Sequence, residues 1–385
     1  MSRRVPLAWL QLRREKLRLV AAVAGVTFGV VLIFVQLGFQ QALFDSSVRY
    51  HTALAYDLAV VSPRTDFLVQ PVSFPRSRLF QIQGFSAVRS VTPVYLGQGR
   101  WRNPLDPSES RLIFVVGYDP ADEGFASLGL GGLASALTSP DRVLFDRASR
   151  PEYGPVAEEF ARRGRLGVEV NDRRLEIVGL FELGTSFGID GSLLTSDLNF
   201  RRMFAGRRAS HIDLGLIQLA DGADPDALRD EIAAAIPADV RVLTRADFVQ
   251  KELDYWAGST PIGYVFGFGV VMGLVVGSII VYQILFSDVQ DSLREYATLK
   301  AMGYTHRYLV GVVMREAALL AVLGYVPALL LAAALYEQAG AATHLPIRLT
   351  VARSAGVFAL TVFMCCGSAA LAIRKLRSAE PAEVY

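Results

Sequence analysis

Four long apolar runs decide what this chain can fold into. A helix needs about 20 consecutive apolar residues to cross the hydrocarbon core of a bilayer. Residues 19–39, 261–286, 309–336 and 354–373 each supply that length. In lipid every backbone N–H and C=O must find its partner within the protein, so such runs are confined to helices. A hydrophobic content of 52% and a mean hydropathy of +0.34 agree with a membrane protein. The third run carries Arg315 and Glu316 near its start, a depth that permits snorkelling or pairing inside a bundle.

The basic residues set the direction of threading. Residues 1–18 hold Arg3, Arg4, Arg13, Arg14, Lys16 and Arg18 against the single acid Glu15, which places them in the cytosol. Four crossings return the 374–385 tail to the cytosol, where Arg374, Lys375 and Arg377 agree. The 287–308 loop is then also cytosolic, and the short 337–353 loop lies outside, with Arg348 and Arg353 against the rule. Residues 1–18 interleave Leu7, Trp9, Leu10 and Leu17 with the cations, the composition of an amphipathic helix resting on the inner leaflet. The first apolar run exceeds a signal-peptide core and lacks a small-residue cleavage site after it, so it reads as a retained anchor.

Between the first two spans, residues 40–260 are long enough for a folded core of two subdomains. Strand patterns recur at 58–62, 88–97, 111–119 and 173–183. Residues 211–245 read as strand, helix and strand, with Asp224 as helix cap, Pro225 opening the helix and Leu228, Ile232 and Ile236 as its apolar stripe. The expected fold class is therefore an α-helical membrane protein with four transmembrane helices plus a large α/β extracytoplasmic domain. Its α/β part covers about 50–103 and 206–250, with a β-rich insertion at about 104–205. A helix over 246–259 returns the chain to the membrane, with Trp256 and Tyr264 near the outer interface.

Several chemistries are not expected. The net charge of +2 argues against a phosphate-dominated nucleic-acid binder. There is no G-x-x-x-x-G-K-[ST] loop, so no nucleotide is expected through that motif. The glycines of 127–137 lack its lysine and its preceding strand, and read as a mobile loop. His51, His211, His306 and His344 are scattered, the adjacent Cys365 and Cys366 read as packing residues rather than a disulfide, and no metal site is foreseen. No nucleophile elbow is read either, so the chain is expected to be non-catalytic and without cofactor.

The 287–303 stretch is amphipathic: Val289, Leu293, Tyr296 and Leu299 share a helical stripe opposite Asp291, Arg294, Glu295 and Thr298, and Gly303 is placed to stop the helix. This pattern serves a solvated connector as well as a docking element. Within the spans, Gly269, Gly273 and Gly277 share one face, as do Gly25 and Gly29, the small-residue spacing that lets helix backbones approach in lipid.

The segment Arg294, Glu295, Leu299, Lys300, Ala301, Met302, Gly303, followed by Glu316 in the next span, resembles the loop and helix of the FtsX/MacB class of ABC-transporter permeases. The four-span plan with one large domain after the first span is similar to theirs. Residues 7–47, 142–155 and 187–200 further resemble the DevC-type subfamily. The resemblance implies a MacB-like periplasmic domain, a bacterial inner-membrane location and a homodimer with the first two spans at its centre. It also implies that Leu293, Arg294, Glu295, Leu299, Lys300, Ala301, Met302 and Gly303 dock on a separate ABC ATPase subunit. Further implied partners are a periplasmic membrane-fusion adaptor and a TolC-like outer-membrane channel, which together form a tripartite exporter. Two alternatives stay open: an FtsX-like signalling scaffold for a cell-wall hydrolase, and a lipoprotein-release permease.

Overall fold

The computed structural model describes residues 16–106, 108–259, 261–292, 298 and 302–378. It divides into two compact units, one of residues 1–42, 261–342 and 347–385, the other of 43–260 and 343–346.

Among its described residues the first unit contains four helices long and apolar enough to cross a membrane. They are α1 (Lys16–Ser47), α9 (Pro261–Asp291), α10 (His306–Thr343) and α11 (Val351–Ser378). At 1.5 Å per residue even α11 extends about 40 Å, more than the roughly 30 Å of hydrocarbon. The helices therefore run past their apolar runs, because intrahelical hydrogen bonds do not stop where the lipid does. Their shared core includes Val30, Ile33 and Phe34 of α1, Val281 and Leu285 of α9, Ala317, Ala321 and Ala328 of α10, and Val357 and Cys365 of α11. Cys365 and Cys366 are both free thiols.

Polar side chains link the helices through backbone carbonyls. Thr27 donates to the Gly324 carbonyl at 3.0 Å, Tyr325 to that of Ser354 at 2.8 Å and Ser368 to that of Ser278 at 3.0 Å, while Tyr336 donates to that of Phe34. Pro327 lies inside α10, where it cannot donate a helical hydrogen bond.

The second unit is an α/β domain built on one sheet in the order β11-β1-β10-β3-β4-β8-β5-β7-β6. The strands are β1 (Leu58–Val61), β3 (Val88–Arg102), β4 (Ser110–Tyr118), β5 (Arg142–Asp146), β6 (Leu166–Val170), β7 (Arg173–Phe181), β8 (Ser192–Ser196), β10 (Leu214–Leu219) and β11 (Arg241–Thr244). Two short strands, β2 (Phe74–Pro75) and β9 (His211–Ile212), pair separately.

The 15-residue β3 serves two regions. Its first half pairs with β10, extending the antiparallel group β11-β1-β10. Its second half pairs with β4, and Trp101 and Arg102 also pair with Val170 and Glu169 of β6. That last pairing closes β3, β4, β8, β5, β7 and β6 into a ring, which removes the exposed edges of those strands. Trp101 fills the ring, donating its indole N–H to the Tyr153 carbonyl at 3.2 Å and lying 5.5 Å from the Phe145 ring. The β6–β7 hairpin turns through Asn171 and Asp172, both at positive φ, the two-residue geometry that matches strand twist.

The helices of this unit are α2 (Arg49–Ala53), α3 (Ser77–Gln83), α4 (Leu133–Ala136), α5 (Val156–Arg163), α6 (Asp197–Met203), α7 (Pro225–Ala235) and α8 (Arg245–Asp254). Asp224 caps α7 by accepting from the Asp226 amide at 3.0 Å, Pro225 opens it, and Leu228 and Ile232 are buried. β10 and β11 flank β1 and are both antiparallel to it, so the β10-α7-β11 connection crosses over one strand.

Asp122, after β4, is half-buried, and desolvation reinforced by Asp119 pushes its carboxyl from 3.8 up to about 6. The folded state holds this proton more tightly than the unfolded chain. Its penalty is absent below the ordinary carboxylate range and grows as pH rises through about 6. Asp122→Asn should therefore raise the melting temperature relative to wild type at neutral pH but not at pH near 3.8. A pH series of thermal melts checks this; an equal gain at both ends would contradict it.

Candidate functional site

The site of interest is built where α9 ends. Arg18 of α1 places Nη2 2.7 Å from Asp291 Oδ2 and 3.3 Å from the Ser287 hydroxyl, with Nη1 3.8 Å from Asp288 Oδ1. Glu316 of α10 is buried and shares a side-chain hydrogen bond with Asp288. The other oxygens of these two carboxyls, Glu316 Oε2 and Asp288 Oδ2, are buried without a hydrogen-bond partner. One guanidinium and three carboxyls thus tie three spans together at the point where the 293–301 segment leaves α9. The Arg18–Asp291 pair is partly exposed and contributes only modestly, and the more enclosed Asp288 adds to the contact between α1 and α9.

The expected coupling residues Leu293, Arg294, Glu295, Leu299, Lys300 and Ala301 lie outside the described residues. Met302 and Gly303 are described. The Met302 amide donates to the Thr298 carbonyl at 3.0 Å, a helical bond, and its side chain is exposed. Gly303 has φ +91°, a left-handed conformation that favours glycine, and ends that turn. Tyr304 follows, exposed, its ring 4.8 Å from Tyr308.

Arg315 and Glu316, expected together as the bundle polar pair, are not brought together. Arg315 is exposed and Glu316 buried, because neighbouring helix positions point about 100° apart. The partner of Glu316 is Asp288, from another span. Sequence reading missed this. The signal available was that Arg18 and Asp288 both flank apolar runs at the same side of the membrane.

The glycines meet one another within the chain. A Cβ on Gly29 would stand 3.1 Å from the Gly277 Cα and 3.4 Å from the Gly273 carbonyl, and one on Gly273 would meet Ile33 at 3.0 Å. Gly25 faces Ile280, Gly269 faces Gln36, and Gly277 also faces Met364. Both glycine faces are thus used in the α1–α9 crossing. Gly29→Leu should destabilise the bundle by about 1–3 kcal/mol, since the obstructing atoms are backbone. Gly267→Leu, with nothing within 4 Å, should be neutral. Thermal melting in detergent separates the two, and equal melting temperatures would contradict the crossing.

A second network joins the segments that follow α1 and precede α9. His51 of α2 is buried; its Nδ1 is 3.2 Å from the Tyr56 hydroxyl, and its Nε2 is 3.7 Å from Glu252 Oε2 without a hydrogen bond. Glu252 of α8 accepts from the Leu68 amide at 3.0 Å and the Trp256 indole at 3.1 Å. Arg245 donates to the His51 carbonyl at 3.0 Å, and Lys251, whose pKa burial pushes down, donates to the carbonyls of Thr65 and Asp66.

One motif escaped the sequence reading. Gly184-Thr185-Ser186-Phe187-Gly188 has the G-x-S-x-G spacing of a hydrolase nucleophile elbow. The elbow requires a strand-to-helix turn, whereas here β7 leads into a tight bridge between Ser186 and Ile189 and then into β8. Ser186 is buried, so the context for a nucleophile is missing.

Two family models match this chain: the MacB-like periplasmic core domain over residues 19–235 and the FtsX-like permease C-terminal region over 267–381. The chain belongs to the FtsX/MacB superfamily of ABC-transporter permeases, the type VII class. It is a membrane protein with a large extracytoplasmic domain, and membership implies an ABC ATPase partner.

Two solved structures are similar. The periplasmic region of MacB from Actinobacillus actinomycetemcomitans aligns at 15% identity and TM-score 0.36, covering 51% of this chain and 92% of that one. The extracellular domain of the noncanonic ABC-type transporter YknZ from Gram-positive bacteria aligns at 11% identity and TM-score 0.34, covering 49% and 99%. Comparison with curated proteins returned no match.

Proposed function

We propose that this chain is the non-catalytic permease subunit of a tripartite exporter of the DevC type. It would lie in the bacterial inner membrane, with both termini cytosolic and the 40–260 domain in the periplasm. ATP hydrolysis belongs to a separate dimeric ABC ATPase, and two copies of this chain form the membrane core. A periplasmic adaptor and a TolC-like channel complete the path. The observation that carries the reading is the tie of Arg18, Asp288, Asp291 and Glu316 at the root of the 293–301 segment.

A push on that segment reaches α9 first. The Arg18 ion pairs pass it to α1 and the Asp288–Glu316 hydrogen bond passes it to α10, so the spans respond as a group. Beyond the membrane, α1 leads into α2 and α8 leads into α9, and His51, Glu252 and Arg245 join α2 to α8. Motion of either span is then delivered to the sheet through one buried knot. Cargo taken up outside the inner membrane is driven onward by opening and closing of the periplasmic domains.

Met302 is exposed beside the helix-ending Gly303. A photo-crosslinking residue in its place should capture an ABC ATPase in intact cells. Capture of lipid alone would contradict docking at this segment.

A further inference from the structure

The loop that connects β7 to β8 presents a large apolar side chain where a polar one is usual. Ser186 and Ile189 form an antiparallel bridge, with the Ser186 amide 2.8 Å from the Ile189 carbonyl, leaving Phe187 and Gly188 as a two-residue tip. Such tips are dominated by Gly, Asn, Asp, Ser and Pro. Phe187 is 42% exposed despite being held in a fixed turn.

The tip stands on aromatic ground. The Phe187 ring lies 5.4 Å from Trp256, edge to face, and Trp256 in turn meets Phe67 at 5.6 Å and Tyr255 at 5.5 Å. A Cβ on Gly188 would meet Val69 at 3.2 Å and Trp256 at 3.6 Å, so the tip is packed down rather than free. Tyr and Trp concentrate at membrane–water interfaces because one end of the ring system is apolar and the other polar.

The loop is also bonded to three places where the chain leaves or enters a span. Arg49, just past the end of α1 at Ser47, donates to the Thr185 carbonyl at 3.0 Å. The Thr185 hydroxyl donates at 3.0 Å to the carbonyl of His344, the residue after the end of α10 at Thr343. Trp256 sits in the turn Tyr255–Ser259 that precedes α9. At 1.5 Å per residue α1 is about 48 Å long, against about 40–45 Å for a bilayer with its headgroups, so its outer end falls near the headgroup–water boundary.

The geometry points to Phe187 as a foot that rests in the headgroup layer of the outer leaflet, with Trp256, Tyr255 and Phe67 as its aromatic support. The partner is a phospholipid surface. The foot would anchor this loop in the headgroup layer. This inference is independent of the ATPase and of the cargo, since it needs only that the four helices cross a bilayer.

The test places an environment-sensitive NBD label at Phe187→Cys in full-length protein lacking Cys365 and Cys366. The protein is reconstituted alone in nanodiscs of phosphatidylethanolamine and phosphatidylglycerol, with and without headgroup-spin-labelled lipid. A blue-shifted emission that is quenched by the spin-labelled headgroups is the expected result. A blue shift without lipid quenching means that protein covers the tip and overturns the proposal, as does emission of an aqueous label. Because Phe187 is an exposed tip residue, the substitution should leave the fold intact. The same label at Phe67→Cys, on the supporting ring, provides a second position, and its emission should be quenched less than that at Phe187.

Discussion

Leu299→Asp should abolish export while leaving the protein folded in the membrane. Leu299 ends the apolar stripe of the segment that follows α9, the segment proposed above to dock the ATPase. In the proposed docking contact, a carboxylate in place of this leucine would forgo apolar burial and add an uncompensated charge. Central contacts of this kind are worth at least about 2 kcal/mol, roughly a 30-fold loss of affinity. ATPase binding measured in detergent should weaken accordingly, and hydrolysis should cease to depend on the permease. Since Arg18, Asp288 and Glu316 are untouched, the melting temperature should not move. Normal export by the variant would remove the 293–301 segment from the mechanism.

Glu252→Ala carries the second large effect, on stability. The substitution leaves the Leu68 amide and the Trp256 indole N–H without their acceptor in the interior and removes the carboxylate facing His51. Each orphaned buried donor costs about 1–3 kcal/mol, so a loss of about 3 kcal/mol is expected. For a unit of this size that lowers the melting temperature by roughly 6–12 °C. Glu252→Gln retains an acceptor and should lose less. An unchanged melting temperature in the alanine variant would mean that the knot does not hold α2 to α8.

Much of the fold is legible in the sequence where a pattern is local. The apolar runs mark the spans because lipid length is a one-dimensional constraint, and Asp224, Pro225, Leu228 and Ile232 mark α7 by cap, first-turn residue and stripe. The strands at 58–62, 88–97, 111–119 and 173–183 alternate or run apolar as half-buried and buried strands do, and β1, β3, β4 and β7 lie there. The order of the strands is another matter. Nothing local says that β3 is long enough to serve two regions, or that Trp101 pairs with Val170 and closes a ring. β5, β6 and β8 sit in loop-rich surroundings where turn residues mask short strands.

The candidate site divides the same way. Gly303 could be foreseen as a helix stop, since only a local left-handed turn was needed. Glu316 could be singled out as a charge in an apolar run, but its neighbour Asp288 comes from another helix. Gly29 and Gly277 could be named as close-approach residues, yet only tertiary structure shows that they approach each other. Ser186 teaches the converse lesson, because a catalytic spacing without its strand-to-helix context carries no chemistry.

The most direct test of the central claim is affinity purification of the full chain from its native host, crosslinked in mild detergent. An exporter permease coupled through the 293–301 segment should bring down an ABC ATPase, a membrane-fusion adaptor and an outer-membrane duct. Leu299→Asp should lose the ATPase and keep the adaptor. A cell-wall hydrolase or lipoprotein chaperone in place of adaptor and duct, or an ATPase retained equally by the variant, would contradict the account.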